Sequence, residues 1–428
     1  MTAFTIFFCG TGSNSYDFAN TDYFAGELIS TLAMNHAGHE FAEWIIVDGP
    51  GSGNIQEAQK WVPAGNYMDI RGKLNGNGWE ENVQHAVAVL IGGDYEERTK
   101  QTRSEKSLLR KAGVGVQEVE RTGTISRRLF GDTKEVKHDF RARISPQALQ
   151  QKKIEILRKK KPITHVNVIG WSRGGVTCHM FANALAQTRG WSHIPVNIFA
   201  CDPVPGAGNF DTHRIRLGSN VANYVAIYAS DERSMGFAPV LPSLSSKTEY
   251  FITTMPGRHG TLVGNAAIDG SSGVNTFFGP GKVTRDLAER FLRSWGTNLK
   301  KTLNLSEFEI LKQYEQMLAD APSYTDMRGE LYTGFSQGAE RAVGKGDGTW
   351  KTFGSSTTLS KEKIFLNLHH RWVFERNFTT LYSALFRNRK LAPAQAKLEL
   401  SRVAFRYPAL HARLKKIPIG LTGSLSVS

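Results

Sequence analysis

The segment Gly170-Trp171-Ser172-Arg173-Gly174-Gly175 satisfies the pattern Gly-x-Ser-x-Gly. A serine hydroxyl is a poor nucleophile until a histidine takes its proton and a carboxylate orients that histidine. The pattern alone is cheap, because Gly334-Phe335-Ser336-Gln337-Gly338 matches it too. The settings of the two differ. Ahead of Ser172, residues 165–169 (HVNVI) form a short β-branched run that predicts a strand, and residues 176–187 predict a helix. That is the setting of a nucleophile elbow, where small flanking residues let the backbone fold tightly around the serine. Ser336 follows RGELYT, which is no buried strand, and glycines soon follow it. It reads as a chance match in a loop.

A hydrolase elbow expects its partners in the chain order Ser, acid, His. Asp202 ends the strand-like run 196–200 (VNIFA) and precedes Pro203, which suits a sharp exit at the carboxyl end of a strand. Asp231, after the run 221–228, is the alternative acid, and either aspartate could instead simply form a turn. His259, in the glycine-flanked segment MPGRHGTLVGN, is the base. His179 lies two helical turns beyond the serine, His165 precedes it, and His193 and His213 come before or too soon after the acid. His369 and His370 fall in a distal helical run that suits packing or solvent. The oxyanion requires two backbone donors. One is expected from Arg173, the other from the early turn Gly10-Thr11-Gly12, through Thr11 and Gly12. The chain has no phosphate-cradling GxxxxGK[ST], no full GxGxxG and no metal-ligand spacing, so no cofactor and no metal are expected.

These residues must be positioned by the surrounding elements. Strand-like runs at 4–8, 43–47, 165–169, 196–200, 221–228 and 250–254 alternate with helical spacing at 21–34, 81–91 and 176–187. This predicts an α/β fold of the α/β-hydrolase type, a mostly parallel sheet flanked by helices, with a helical C-terminal extension. Residues 1–282 form the expected catalytic domain and 283–428 a mainly helical region, a lid or membrane-docking module. In the latter, helices are expected at 284–299, at 306–318 behind a Ser306/Glu309 capping box, at 363–386 and at 392–405. The net charge of +14 is concentrated in a basic insertion, residues 98–161, with 19 Lys/Arg against 7 Asp/Glu. Such a block suits an anionic partner or is merely a solvated face. Three cysteines set no disulfide framework and read as buried thiols. The N-terminus MTAFTIFFCG reads as a strand and not a Sec signal, and no apolar run is long enough to span a bilayer.

FFCGTGSN (7–14), NTDYFAGEL (20–28), VDGPGSG (47–53), GWSRGG, CDPV, ASDER (229–233) and GRHG (257–260) occur in an order that resembles the hydrolase domain of type VI secretion phospholipase effectors and their uncharacterised relatives. The likeness spans roughly residues 4–270. Family members usually carry Asp at the position of Cys9, Phe at that of Trp171, and paired glycines after the histidine, where this chain reads TLVGN. The resemblance implies hydrolysis of glycerophospholipid acyl esters by a Ser172–Asp202–His259 triad. It further implies synthesis in a bacterial cytoplasm without a Sec signal and delivery into a competitor cell by a type VI system. The partners it implies are a phospholipid membrane surface and an immunity protein, chaperone or secretion-machine adaptor; nucleic acid is not expected. On the membrane reading, Trp61, Tyr67, Trp79 or the C-terminal helices supply apolar interfacial contact. Two other classes fit the same residues: a cytosolic carboxylesterase or thioesterase for soluble acyl compounds, and a non-catalytic hydrolase-like scaffold binding anionic partners through its insertion.

Overall fold

The computed structural model describes residues 2–52, 78–92, 103–114, 116–128, 131–142, 146–158, 162–352, 368–387 and 392–416. The strands among them are β1 (Ala3–Phe8), β2 (Trp44–Val47), β3 (Val116–Arg128), β4 (Gly131–Ala142), β5 (His165–Trp171), β6 (Val196–Cys201), β7 (Val221–Ala229), β8 (Val240–Leu241), β9 (Glu249–Met255), β10 (Ala342–Lys345) and β11 (Trp350–Thr352). Six of them form one sheet in the order β2-β1-β5-β6-β7-β9, with every neighbouring pair parallel. All the strand runs expected from the sequence lie in this sheet, and the fold class is α/β with a helical C-terminal part.

The sheet is covered on both faces and mostly apolar, which is why its strands read as largely hydrophobic runs. The exception is a row of Thr5, Asn167, Asn197 and Asn223, its asparagines joined by side-chain hydrogen bonds. Phe4, Ile6, Phe8, Val166 and Val168 point to a core closed by the helices Trp79–Ile91 and Arg173–Gln187. Phe7, Cys9, Ile169 and Trp171 point to the opposite core, closed by Leu28–Met34, Phe278–Ser294 and Glu307–Ala319. The first of these helices starts later than the expected residue 21, because Ala25 and Gly26 take φ of 59° and 83° and only then does Glu27 cap the helix through Ile29 and Ser30 N–H.

The expected boundary at 282/283 falls inside the helix Phe278–Ser294, and this corrects the division of the chain. Val283, Leu287, Ala288 and Leu292 of that helix belong to the same core as β1 and β5. The end of the strand–helix alternation therefore marks a change of texture and not the end of the core. The capping box forms as expected, with Ser306 Oγ accepting from Glu309 N–H and Glu309 Oε2 accepting from Ser306 N–H at 2.8 Å. The run expected at 363–386 is split around Phe378 into Leu368–Asn377 and Thr379–Arg387, followed by Pro393–Arg406 and Pro408–Lys416. These helices share a third apolar core with Leu311.

The basic insertion holds the helices Arg103–Lys111 and Pro146–Leu157 and the antiparallel hairpin β3–β4, which the sequence reading did not foresee. Its base is anchored: Arg158 is buried, donates through Nε to the Ala42 carbonyl at 2.7 Å and lies over the Phe4 ring. Burial pulls this guanidinium down to about 10. Trp61 and Tyr67 lie outside the described residues. Trp79 is only 1% exposed, its indole N–H bonded to Thr177 Oγ1 at 2.5 Å, so it is a core residue and cannot make interfacial contact.

Candidate active site

In this sheet β2 lies on one side of β1 and β5 on the other, so the strand order reverses between β1 and β5. Open parallel sheets bind their ligands outside the carboxyl ends of strands at such a switch point. The candidate residues gather along this edge. Gly10-Thr11-Gly12 follows β1, Ser172 follows β5, Asp202 follows β6, Asp231 follows β7, and His259 lies just beyond β9.

Ser172 joins β5 to the helix Arg173–Gln187 with φ 59° and ψ −128°. Non-glycine residues reach that region at a cost of about 1–3 kcal/mol, and only where the surroundings enforce it. Here the enforcement is explicit. Ser172 N–H donates to Cys201 O at 3.0 Å, and Ser172 O accepts from the N–H groups of Gly175 and Val204 at 3.0 and 3.2 Å. The glycines of the motif are required by close backbone approach. A Cβ on Gly170 would stand 2.2 Å from Gly174 O, and one on Gly174 would stand 2.2 Å from Phe8 O.

Parallel pairing of β5 with β6 places Trp171 beside Cys201, so Ser172 and Asp202 leave adjacent strands side by side. Asp202 also holds a positive φ, 42°. Its Oδ2 accepts from His259 Nδ1 at 2.6 Å. With Nδ1 carrying the proton, the other ring nitrogen, Nε2, is the basic one. The imidazole is sandwiched between Trp171, with centroids 5.1 Å apart and tilted 33°, and Phe237, edge-on at 5.1 Å. Ser172, Asp202 and His259 are 6%, 0% and 4% exposed.

A residue that the sequence reading missed completes this arrangement. Arg341 is fully buried and grips Asp202 with both ends of its fork: Nη1 donates to Oδ1 at 2.7 Å and Nη2 to Oδ2 at 2.8 Å. Ala229 N–H donates to Oδ1 as well, at 3.1 Å. Burial by itself would raise the Asp202 carboxyl, but the Arg341 charge and the His259 hydrogen bond outweigh it and hold the group below its ordinary value.

Asp231 is elsewhere engaged. Its Oδ1 accepts two bonds from Arg328, at 2.8 and 2.7 Å, and its Oδ2 accepts Gly257 N–H at 3.0 Å. The structure thus brings Asp202 to His259 and gives Asp231 to the turn ahead of it. Of the expected oxyanion donors, Gly12 N–H is committed to Pro50 O at 3.0 Å, because the turn after β1 packs on the turn after β2. That removes Gly12 from the set. Thr11 remains beside the elbow, its Oγ1 accepting from Arg173 Nη1 at 3.0 Å. Arg173 is the first residue of the helix that follows Ser172.

Two of the histidines set aside have structural partners. His179 bonds Arg214 O and Tyr224 OH, and His369 bonds Asp286 at 2.8 Å and Tyr314 OH. Ser336 is exposed in a loop and its Oγ accepts from Gly338 N–H. Among the described residues, no group of His, Cys, Asp and Glu side chains could hold a metal ion. No described helix is long and apolar enough to cross a membrane.

No protein-family model and no curated protein matches the chain. A solved structure of an uncharacterised protein from Pseudomonas aeruginosa is similar at 14% identity with a TM-score of 0.41, over 97% of this chain and 60% of that one. A likeness at that level carries no argument about activity.

Proposed function

We propose that the protein is a serine hydrolase of carboxylic esters, with Ser172 as nucleophile, His259 as base and Asp202 as the orienting acid. The observation that carries this reading is the 2.6 Å Asp202–His259 bond on the same sheet edge as a serine strained into an elbow. Ser172 Oγ attacks the acyl carbon while His259 Nε2 takes its proton. The oxyanion faces the Arg173 and Thr11 N–H groups, and the alcohol leaves with the proton held by His259. Water, deprotonated by His259, then attacks the acyl-enzyme and releases the acid and the serine.

The substrate class proposed is the acyl ester of a glycerophospholipid, in a type VI secreted effector, as the ordered motifs imply. The basic insertion supports it, since each Lys/Arg near an anionic bilayer contributes on the order of 1 kcal/mol. Leu398 and Phe405, 54% and 90% exposed and seven residues apart on one helix, add apolar surface. The same basic insertion suits an acidic immunity protein, chaperone or adaptor. A cytosolic carboxylesterase or thioesterase is the second reading, favoured by the near-complete enclosure of Ser172 and His259, which admits a small acyl compound more readily than a bilayer lipid. Fatty acid release from anionic phospholipid vesicles tests the first, and Ser172→Ala must abolish it. Turnover of short soluble esters without any on vesicles moves the assignment to the second. No turnover and no labelling of Ser172 by a fluorophosphonate leaves a non-catalytic scaffold.

A further inference from the structure

The hydrolase reading accounts for His259 and Asp202 but not for a fully buried arginine at the far side of the carboxylate. A carboxylate that only orients a histidine needs one lone pair for it, and a buried carboxylate is commonly satisfied by backbone N–H groups. Asp202 has one such group, Ala229 N–H, and takes its other bonds from Arg341. The guanidinium is itself fixed from two directions. Nη2 donates to Phe237 O at 2.8 Å, and Nη1 donates to Ala229 O. Arg341 immediately precedes β10, whose residues Gly344 and Lys345 pair in parallel with β8. The backbone behind the fork is thus held by a sheet, and the fork bonds the end of β7, the carbonyl of Phe237, whose ring packs on His259, and Asp202.

We propose that Arg341 is a positioning residue of the triad. It clamps both oxygens of Asp202 in the rotation that offers Oδ2 to His259 Nδ1, and it supplies the charge that keeps the carboxylate ionised away from water. This rests on the assignment of Ser172, Asp202 and His259. Bidentate pairing adds direction as well as energy, which a lysine ammonium cannot reproduce. The clamp also has an electrostatic consequence. Its positive charge partly cancels that of Asp202 as seen by the imidazole, so removing it leaves a buried carboxylate whose remaining bonded cationic partner among the described residues is the histidine. The other groups facing the pair stay in place. Glu232 Oε2 accepts His259 backbone N–H at 3.3 Å, Arg258 adjoins His259 in the chain, and Tyr228 and Cys201 are buried beside Asp202.

The test uses the full chain with selectively labelled histidine, as wild type, Arg341→Gln and Arg341→Lys. It reads His259 titration by NMR and, where turnover exists, kcat and KM against pH. Arg341→Gln should retain its His259 proton to higher pH, moving both the titration midpoint and the acid limb of kcat/KM upward by about one unit or more. Its kcat should fall at least about tenfold with little change in KM. Arg341→Lys should restore the midpoint but not kcat, because it returns the charge without the fork. A folded Arg341→Gln with an unmoved midpoint and kcat within about twofold of wild type overturns the proposal. Should that variant not fold, Arg341→Lys decides alone, since an undiminished kcat there refutes the clamp. A wild type with neither ester turnover nor fluorophosphonate labelling defeats the hydrolase reading, and the His259 titration still tests the clamp.

Discussion

Replacing each candidate acid by its amide gives opposite outcomes at two aspartates that end neighbouring strands. At Asp202 four donors converge on two oxygens: Ala229 N–H, both Nη groups of Arg341 and His259 Nδ1. Asp202→Asn keeps one oxygen and turns an NH2 towards donors. Arg341, 0% exposed, then becomes a buried cation without a counter-charge, at a cost of about 3–5 kcal/mol. His259 would satisfy the amide by moving its proton to Nε2, leaving nothing to accept from Ser172, and the turnover should fall by about 10⁴. At Asp231 the partner Arg328 has a side chain 24% exposed, so water can replace the lost charge. Asp231 itself is buried and accepts three bonds, so Asp231→Asn should cost about 1–3 kcal/mol and leave turnover within about tenfold. Urea unfolding gives the stabilities, and the rate of fluorophosphonate labelling of Ser172 gives the activity without a chosen substrate. Faster labelling in Asp202→Asn than in Asp231→Asn would refute the assignment of the acid. The sign with pH follows from the lowered Asp202 carboxyl. Its contribution is present above the ordinary carboxylate value of about 3.9 and is lost as pH falls through the lower folded value. Asp202→Asn should not show that acid loss.

Ser172→Gly should be inactive yet more stable than wild type by about 1 kcal/mol, since glycine tolerates the elbow dihedrals. Thermal unfolding checks this, and a less stable variant would deny that the turn is strained. Gly174→Ala should destabilise by about 1–3 kcal/mol and lose labelling, because a Cβ there would lie 2.2 and 2.5 Å from the carbonyls of Phe8 and Cys9, both backbone. Burial lifts the Glu27 carboxyl to about 7, against three hydrogen bonds from Ile29 and Ser30. A raised folded value stabilises fully below the ordinary 4.5 and is lost as pH rises through about 7. Melting temperatures of wild type should therefore fall more between pH 5 and pH 8 than those of Glu27→Gln, and equal slopes would count against it.

Ser172, Asp202 and His259 were legible because each is announced locally. A β-branched run precedes the serine and a helix follows it, the aspartate closes the next strand, and the histidine comes last. The choice between Asp202 and Asp231 was not legible, because both end strands on the same edge. Which of them meets His259 depends on two arginines, Arg341 and Arg328, that lie 139 and 97 residues beyond their partners. Those arginines stand in a glycine- and serine-rich stretch with neither period, where nothing local distinguishes a buried cation from a solvated one. The hairpin β3–β4 escaped for a related reason: its sequence carries no apolar alternation to mark it. Gly12 failed as an oxyanion donor because a backbone N–H is spent on whichever turn packs against it, and that turn, at Pro50, is distant in sequence.

The same long-range contacts change what the C-terminal third of the chain means. Arg328 holds the aspartate that fixes Gly257, two residues before His259. Tyr332 stacks on Phe237 at 5.0 Å, and its hydroxyl accepts Gly260 N–H and donates to Gly270 O. Arg341 holds Asp202 and the Phe237 carbonyl. Three side chains within fourteen residues thus brace both flanks of the histidine loop and the residue that covers its ring. On the proposed hydrolase reading the His259 loop must resist opening, and local opening is easiest where few buried contacts tie a loop down. Here those ties come from a segment beyond the last strand of the main sheet. A truncation at the apparent end of the strand–helix alternation would accordingly leave Asp202 without its counter-charge and the His259 loop without its brace, even though every residue of the Ser–Asp–His set remained in the chain.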